Sequence, residues 1–271
     1  MSNASESIEP QCMHEHRIAH VSLRDPARRN ALDAQAIASL QRAIAQAASL
    51  ARDGTVDVVV LSGVGSAFCA GFDLALCAED PSRVAVLLDG LSACVRALRA
   101  IDAPVVARVQ GSALAGGCAL ITGCDFVVVA ADAQLGYPVH RIGISPAVSA
   151  VSLFSRMGAA TRAFMMSNEI ISGVVAHERG LATHLAANND ALDGAVDALV
   201  QRLLRNGPQA MRATKAWIRF IEARGAHDLG SAVARDESAM DAVRDASLAL
   251  AHGDEFSSML RAFWSTRKAP R

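Results

Sequence analysis

The sequence predicts an α/β fold, and three observations lead to that prediction. Short β-branched segments alternate with amphipathic segments of helical length over residues 17–195. Two glycine-rich turns, residues 62–74 and 110–117, each follow an apolar strand-like run. Beyond residue 195 the pattern is helical almost throughout. We therefore expect a strand-and-helix core over residues 1–195 and a helical C-terminal region over residues 196–271.

The first elements follow from periodicity and turn residues. Polar and apolar residues alternate over residues 17–23, which predicts a strand that ends in the turn at residues 25–30. Asp33 is a suitable N-cap for an alanine-rich helix that runs to about Arg52. The nearly continuous apolar run at residues 56–61 predicts a strand that is covered on both faces.

The remaining core elements are expected in the same alternation. We predict helices at 82–101, 146–157, 161–166 and 174–179, strands at 105–109, 126–130, 170–171 and 181–185, and a loop at 136–146. Further helices are expected at 191–204, 209–223, 228–251 and 254–266. The N-terminal segment that holds His14 and His16 is expected to be mobile.

Composition excludes several classes of function. The chain has 271 residues, is 52% hydrophobic and carries a formal charge of -1, so we expect neither nucleic acid nor a membrane surface as the main partner. The longest uncharged stretch, residues 109–124, is shorter than the roughly 20 residues of a membrane helix. Six cysteines without a CxxC pair, and an N-terminus unlike a signal peptide, indicate a cytoplasmic protein. The histidines form no credible metal cluster, so no metal is expected.

The glycine turn in residues 104–125 is the first candidate for a site. The run Val105 to Val109 predicts a buried strand, Gly111 ends it, and Gly116 and Gly117 open a short apolar helix. Glycine allows backbone N–H groups to approach a ligand, and the first N–H groups of a helix lack internal partners. Such a corner favours an anion or oxyanion, although the glycines also suit tight packing alone.

The motifs around both turns resemble the crotonase family of enoyl-CoA hydratases and isomerases. The matching segments are Phe-Cys-Ala-Gly-Phe-Asp-Leu at 68–74, Pro-Val-Val-Ala at 104–107, Gln-Gly-Ser-Ala-Leu-Ala-Gly-Gly-Cys at 110–118, Cys-Asp at 124–125, and later Gly-Tyr-Pro at 136–138 and Arg-Ile-Gly at 141–143. The resemblance implies a right-handed spiral of ββα units and a helical C-terminal region used for trimerisation, as a homotrimer or a dimer of trimers. It also implies an acyl-CoA substrate that brings coenzyme A with it, and no permanently bound cofactor.

The resemblance also implies roles for individual residues. The backbone N–H groups of Ala70 and Gly116 would form an oxyanion hole for the thioester oxygen. Contacts to coenzyme A would come from Arg28, Arg29, Ala31, Ala67, Phe68, Asp73, Leu74 and Lys268. The two arginines are equally compatible with a solvated loop, Lys268 with a charge at a helix C-terminus, and Asp73 with a turn or cap.

Two positions depart from the family pattern. Family hydratases carry a glutamate just after the Gly-Gly-Cys motif and another after the Gly-x-Pro loop, whereas Ala119 and Val139 stand here. Neither side chain can transfer a proton, which puts conventional hydration in doubt. His140, next to the second position, is a candidate replacement because imidazole titrates near neutral pH, although it can equally face solvent or an interface.

Three functions are compatible with these residues. The first is a family enzyme that stabilises the enolate of an acyl-CoA, in hydration, isomerisation, decarboxylation or hydrolysis. The second is a relative that binds acyl-CoA without turnover. The third, an assembly or RNA-binding role, is disfavoured by the near-neutral charge.

Overall fold

The computed structural model describes residues 9–73, 80, 82–223, 244–245, 247–251 and 253–267. The chain divides into two compact units, Met1–Gln201 and Arg202–Arg271, which are described separately. Strands and helices alternate through the first unit, which confirms the predicted α/β class. Among the described residues, no helix is long and apolar enough to cross a membrane.

The described elements are numbered in chain order. The strands are β1 Gln11–Glu15, β2 Ile18–Leu23, β3 Val58–Gly63, β4 Val105–Val109, β5 Ser112–Leu114, β6 Phe126–Ala130, β7 Gln134–Gly136, β8 Ile170–Ser172 and β9 His184–Ala186. The helices are α1 Ala34–Arg52, α2 Arg83–Ala100, α3 Gly116–Thr122, α4 Ala150–Met157, α5 Ala160–Met166, α6 Gly173–Glu178, α7 Leu192–Leu204, α8 Pro208–Ala223 and α9 Asp254–Arg267. Short 3-10 turns lie at Pro26–Arg28, His140–Ile142 and Ala147–Ser149.

Two sheets organise the first unit. The larger sheet has the order β1-β2-β3-β4-β6-β9, and it is parallel except for the β1–β2 pair. The smaller sheet has the order β5-β7-β8. Strands β3, β4 and β6 are almost fully buried because helices cover the larger sheet, as their continuous apolar sequences predict.

Successive parts of the chain alternate between the two sheets. Strand β4 lies in the larger sheet, β5 follows in the smaller sheet, α3 follows β5, and β6 then returns to the larger sheet. Single bridges extend the smaller sheet from Ala113 to Cys69 and join Phe72 to Leu32. The two glycine-rich turns therefore lie side by side at the end of this layer.

Helix α1 shows why these sequences form these elements. The Asp33 carboxylate accepts a hydrogen bond from the Ala36 N–H at 2.7 Å, which caps the helix start as expected. Ile37, Leu40 and Ile44, three and four residues apart, are buried on one face. This apolar face provides much of the stabilisation of α1.

The expectation of a mobile N-terminal segment is wrong for residues 11–16. Strand β1 pairs with β2 in register from Gln11 with Ser22 to Glu15 with Ile18. The two-residue hairpin loop consists of His16 and Arg17, both with positive φ angles of 45° and 68°. Such loops usually contain asparagine or glycine, so the sequence carries no signal for the hairpin. The Arg17 guanidinium pairs with Asp57 and holds the loop in place.

The second unit contains α8 and α9. The Glu255 carboxylate of α9 accepts hydrogen bonds from the N–H groups of Gln209 and Ala210 at 2.9 and 3.0 Å, which satisfies two open donors at the start of α8. The predicted helix at 228–251 falls largely outside the described residues.

Candidate active site

A cavity of about 160 Å³ opens where the two glycine-rich turns meet. Ala70 and Phe72 line it from the first turn, and residues 114–116 line it from the second turn. Leu88 and Leu91 of α2 and the loop at residues 137–149 complete the wall. The surface is largely apolar, so a ligand here gains from burial of an apolar group and orients itself on the few polar atoms present.

One unpartnered backbone donor belongs to Phe72, a residue that lines the cavity. Phe72 pairs with Leu32 in a parallel bridge, in which the Leu32 N–H donates to the Gly71 carbonyl at 2.7 Å and the Asp73 N–H donates to the Leu32 carbonyl at 3.0 Å. In this geometry the N–H of Phe72 itself points away from Leu32. It makes no hydrogen bond with any residue that the structure describes.

A second backbone donor is Gly116, the first residue of α3. Its N–H has no helical partner because it lies in the first turn. The preceding residue, Ala115, has the uncommon backbone angles φ 49° and ψ −110°, and its own N–H donates to the Gly136 carbonyl at 2.8 Å. This bond fixes the start of α3 and with it the direction of the Gly116 N–H.

The glycines bring the two donors together. A Cβ atom on Gly71 would lie 3.0 Å from the Leu114 carbonyl and 3.6 Å from the Gly116 nitrogen, so only glycine allows this approach. A Cβ atom on Gly117 would lie 2.4 Å from the Cys69 carbonyl. Gly117 therefore serves close packing, whereas Gly116 lines the cavity.

The N–H of Ala70 is not available to a ligand, contrary to the expected oxyanion role. Its N–H donates to the Arg29 carbonyl at 3.0 Å. This bond removes Ala70 from the pair of free donors, although the residue still lines the cavity. The free N–H lies two residues later, at Phe72. No sequence signal distinguishes the two, because the direction of a backbone N–H depends on the bridge to Leu32.

The cavity wall contains few groups that transfer protons. Ala119 and Val139 both line it and are 2% and 8% exposed. Tyr137 is the only titratable side chain among the described lining residues, and burial raises its pKa well above the ordinary value of 10, so it stays neutral. His140 does not line the cavity: it is exposed, and its Nδ1 lies 3.0 Å from the Asn168 Oδ1. The structure therefore does not bring His140 to the oxyanion donors.

Arg28 belongs to an ionic cluster beside the first turn. Its Nε donates to Asp25 at 2.6 Å, and its Nη1 donates to Asp33 at 3.0 Å and to Asp73 at 2.9 Å. The hydrogen bonds that its guanidinium donates, first to Asp33 and then to Asp25, raise the pKa of Arg28. Burial raises the pKa of Asp33, but bonds from the Ala36 N–H and Arg28 outweigh it and leave that pKa below its ordinary value. Arg28 thus connects the turn before α1 to the first glycine-rich turn.

The other expected contacts to coenzyme A fall in different places. Arg29 is exposed, and Ala31 lines a second cavity of about 210 Å³ together with Arg28. Ala67 and Phe68 are 3% and 0% exposed and line neither cavity, so they offer no surface to a ligand here. Leu74 and Lys268 lie outside the described residues.

Asn30 organises the first turn, although the sequence marks it only as a turn residue. Its Nδ2 lies 3.0, 2.9 and 3.1 Å from the carbonyls of Val64, Ala67 and Phe68, and its Oδ1 accepts from the Asp25 N–H at 2.8 Å. The side chain is buried and replaces main-chain pairing where the chain turns.

Within the described part of the chain, no group of three or more histidine, cysteine or carboxylate side chains forms a site for a metal ion.

Comparisons with known proteins agree with this arrangement. The model of the enoyl-CoA hydratase/isomerase family matches residues 13–227. A putative enoyl-CoA hydratase of Thermus thermophilus is 34% identical over 219 residues, covering 78% of this chain and 84% of that protein. The 2,3-dehydroadipyl-CoA hydratase of Escherichia coli is 30% identical over 207 residues, covering 76% and 79%. The crystal structure of an enoyl-CoA hydratase from Mycobacterium smegmatis matches with a TM-score of 0.83 and 26% identity, covering 98% and 99%, which confirms the expected fold.

Proposed function

Because the chain belongs to the enoyl-CoA hydratase/isomerase family, we propose that it binds an acyl-CoA thioester in the cavity between the two glycine-rich turns. The backbone N–H groups of Phe72 and Gly116 donate to the thioester oxygen. The observation that carries this proposal is the pair of unpartnered donors at the wall of one apolar cavity.

Two such donors have a clear chemical purpose. Removal of a proton next to a thioester, or addition to its conjugated double bond, places negative charge on the carbonyl oxygen. Fixed N–H groups stabilise that charge without reorganising, and each lowers the activation barrier by roughly 3 kcal/mol in comparable sites. The apolar wall strengthens the effect because it excludes water around the oxygen.

The cavity supports enolate stabilisation better than hydration. Addition of water needs a base for the water and an acid for the carbon, and side chains of alanine and valine occupy the two wall positions expected to hold them. The same observation favours a second candidate function, acyl-CoA binding without turnover. Exchange of the α-protons of butyryl-CoA with deuterium from D2O in the presence of excess protein separates the two candidates, because an enolate exchanges these protons and binding alone does not.

Enolate absorbance provides the test of the oxyanion donors. Acetoacetyl-CoA forms an enolate that absorbs in the near ultraviolet, and we expect binding to the wild-type protein to raise the enolate fraction at fixed pH. Phe72→Ala removes the ring but keeps the N–H, whereas Phe72→Pro removes both. The alanine variant is expected to keep the rise and the proline variant to lose it, with thermal midpoints measured to compare folded proteins. Equal enolate fractions in the two variants would exclude Phe72 as a donor.

The nucleotide end of coenzyme A is assigned to the exposed turn before α1. We propose Arg29 and Ala31 as its contacts, because Arg29 is exposed and Ala31 lines the neighbouring cavity. Arg28 acts as a positioning residue, since three carboxylates already bind its guanidinium. We also propose that Lys268 contacts a phosphate of coenzyme A, as the family resemblance implies. Trimerisation through residues 196–271 and a cytoplasmic location are further proposals.

A further inference from the structure

The wall of the cavity between the two glycine-rich turns offers a ligand a hydrocarbon surface. Leu88 and Leu91 of α2 form one part of this wall, and Ile144 and Val148 of the loop at residues 137–149 form another. Leu91 is 3% exposed, and the other three side chains are partly buried. Such a surface gains free energy when an apolar group replaces the water against it. It therefore favours the hydrocarbon part of a ligand.

The polar side chains of this wall offer no charge to a ligand. Among the described lining residues, only Tyr137, Ser145 and Ser149 have polar side chains, and there is no lysine, arginine, histidine or carboxylate. The hydroxyl oxygen of Tyr137 is inaccessible to solvent, and the Ser149 hydroxyl donates to the Pro146 carbonyl at 3.1 Å. Ser145 is exposed to solvent. A charged group on the ligand would therefore find no opposite charge in the described wall.

The volume of the cavity corresponds to an acyl group of about six carbons. The space measures about 160 Å³. An apolar cavity of about 150 Å³ holds a six-carbon hydrocarbon such as benzene. Because Ala70 and Gly116 line the same space, the thioester carbonyl takes up part of it, and the carbonyl carbon is included in this size.

We propose that the cavity selects an uncharged hydrocarbon acyl group of about four to six carbons and discriminates against acyl groups that end in a carboxylate. This inference rests on the proposed binding of acyl-CoA in the same cavity. It adds the substrate class, which the two backbone donors do not define because every thioester has the same carbonyl. A terminal carboxylate would lose its water in this wall without gaining a cation, which costs far more than burial of a methyl group.

A series of saturated acyl-CoA ligands tests the size of the acyl group with the full-length protein. Isothermal titration calorimetry gives the dissociation constants of acetyl-, butyryl-, hexanoyl-, octanoyl- and decanoyl-CoA. We expect the affinity to rise about fourfold for each added CH2 group up to hexanoyl-CoA, the value for complete burial of one such group, and to rise little beyond it. A steady rise through decanoyl-CoA, or equal affinities from acetyl- to hexanoyl-CoA, would contradict the proposed size.

Adipyl-CoA tests the discrimination against charge, because it matches hexanoyl-CoA in length and ends in a carboxylate. We expect the wild-type protein to bind it at least about tenfold more weakly than hexanoyl-CoA. Leu88→Lys adds a cation to the wall at a partly buried helical position that lysine suits. This variant is expected to raise the ratio of adipyl-CoA affinity to hexanoyl-CoA affinity by about tenfold or more, because the carboxylate gains a charged hydrogen bond.

Val86→Lys is the matched control for the added charge. Val86 lies on the same helix, is 62% exposed and is not among the residues that line the cavity. The substitution adds the same charge outside the wall, so we expect it to leave the affinity ratio unchanged. Thermal midpoints show whether both variants are folded, and the comparison of the two ligands on the wild-type protein needs no variant.

The outcomes separate this inference from the proposed function. If the wild-type protein binds adipyl-CoA as tightly as hexanoyl-CoA, or if Leu88→Lys and Val86→Lys change the affinity ratio equally, the apolar wall does not select the acyl group and acyl-CoA binding stands. If no thioester binds to the wild-type protein, the proposed function itself fails and the inference falls with it.

Discussion

Asn30 joins the turn before α1 to the first glycine-rich turn through a single amide group. Three carbonyls face its Nδ2 in the protein interior. We expect Asn30→Ala to lower the free energy of unfolding by about 2–4 kcal/mol, since several buried groups lose their partner at once. Urea unfolding monitored by circular dichroism measures the change.

The control for Asn30 is an asparagine without these contacts. Asn189 is exposed, and Asn189→Ala is expected to change the free energy of unfolding by less than about 0.5 kcal/mol. Similar effects of the two substitutions would show that the buried amide of Asn30 contributes little to stability.

Two wall residues determine whether the cavity can add water to a double bond. Ala119 and Val139 both line it, so glutamates at these positions would face the ligand. We expect Ala119→Glu with Val139→Glu to raise the rate of crotonyl-CoA hydration by roughly 100-fold or more over the wild type, because each positioned proton-transfer group typically contributes a factor of about 100 to 10,000. Loss of the enoyl thioester absorbance measures the rate.

Glutamine at both positions provides the matched control. Its side chain has the size and polarity of glutamate but transfers no proton, so the double glutamine variant should remain as slow as the wild type. Fast hydration by the wild-type protein would contradict the explanation, because it would require an acid and a base that the described wall does not contain.

At the scale of residues, the sequence predicts side-chain identities in the wall better than backbone donors. Gly116, Ala119 and Val139 all line the cavity as their motifs suggest. The free donor at Phe72 instead of Ala70 was not predictable, since it depends on pairing with Leu32, some forty residues earlier in the chain. The three-carboxylate environment of Arg28 likewise forms only in the folded protein.

Helix α1 connects the pH dependence of stability to the ionic cluster. Asp33 both caps α1 and binds Arg28, and these bonds hold its pKa below the ordinary value of 3.8. A carboxyl with a lowered folded-state pKa stabilises the protein above the unfolded-state pKa, and that stabilisation is lost as the pH falls through the folded value. Stability should therefore decrease on acidification below about pH 4.

Asp33→Asn tests this dependence because asparagine also caps helices but carries no charge. We expect the variant to be less stable than the wild type at pH 7 and to lose less stability between pH 5 and pH 3. Asp190→Asn, at an exposed position away from α1, is the control and should leave the acid-induced loss largely unchanged. An unchanged loss in Asp33→Asn would place the sensitive carboxyl elsewhere.

At the scale of elements, long periodic segments were predictable and short ones were not. The structure confirms the strands at 105–109 and 126–130 and the long helices α1 and α2 close to their predicted ends. The three-residue strands β5 and β7 are too short for any periodicity, and they form because neighbouring turns of the chain supply partners. The predicted helix at 146–157 begins instead with a 3-10 turn at Ala147–Ser149.

At the scale of the whole molecule, the alternation between two sheets explains the site. The chain makes a turn where it leaves the larger sheet for the smaller one. The two glycine-rich turns formed in this way lie next to each other, joined by the bridge between Cys69 and Ala113. The resemblance to the crotonase family predicted a spiral of ββα units, and the family match and the structural match confirm the crotonase fold. Periodicity alone predicted the α/β class but not the order of strands, which depends on long-range pairing.

The C-terminal unit presents a surface that suits assembly with further copies of the chain. Phe256, Met259 and Leu260 of α9 are each 41–45% exposed. Their spacing of three and four residues places them on one face of the helix. A contiguous exposed apolar stripe of this kind typically marks a protein interface. The stripe predicts association with further copies of the chain, and the family resemblance predicts a homotrimer or a dimer of trimers as the assembly.

Charge on the stripe is the test of assembly. Phe256→Glu with Leu260→Glu alters side chains that are 45% and 42% exposed, so each chain should fold, whereas an interface would have to bury two carboxylates without partners. Sedimentation equilibrium is expected to give three or six chains of 28.3 kDa for the wild type and a smaller assembly for the double variant. Met13→Glu, at an exposed position on β1 that is 63% accessible, should leave the wild-type mass unchanged. A monomeric wild type, or a double variant of wild-type mass, would exclude the α9 stripe as the trimer contact.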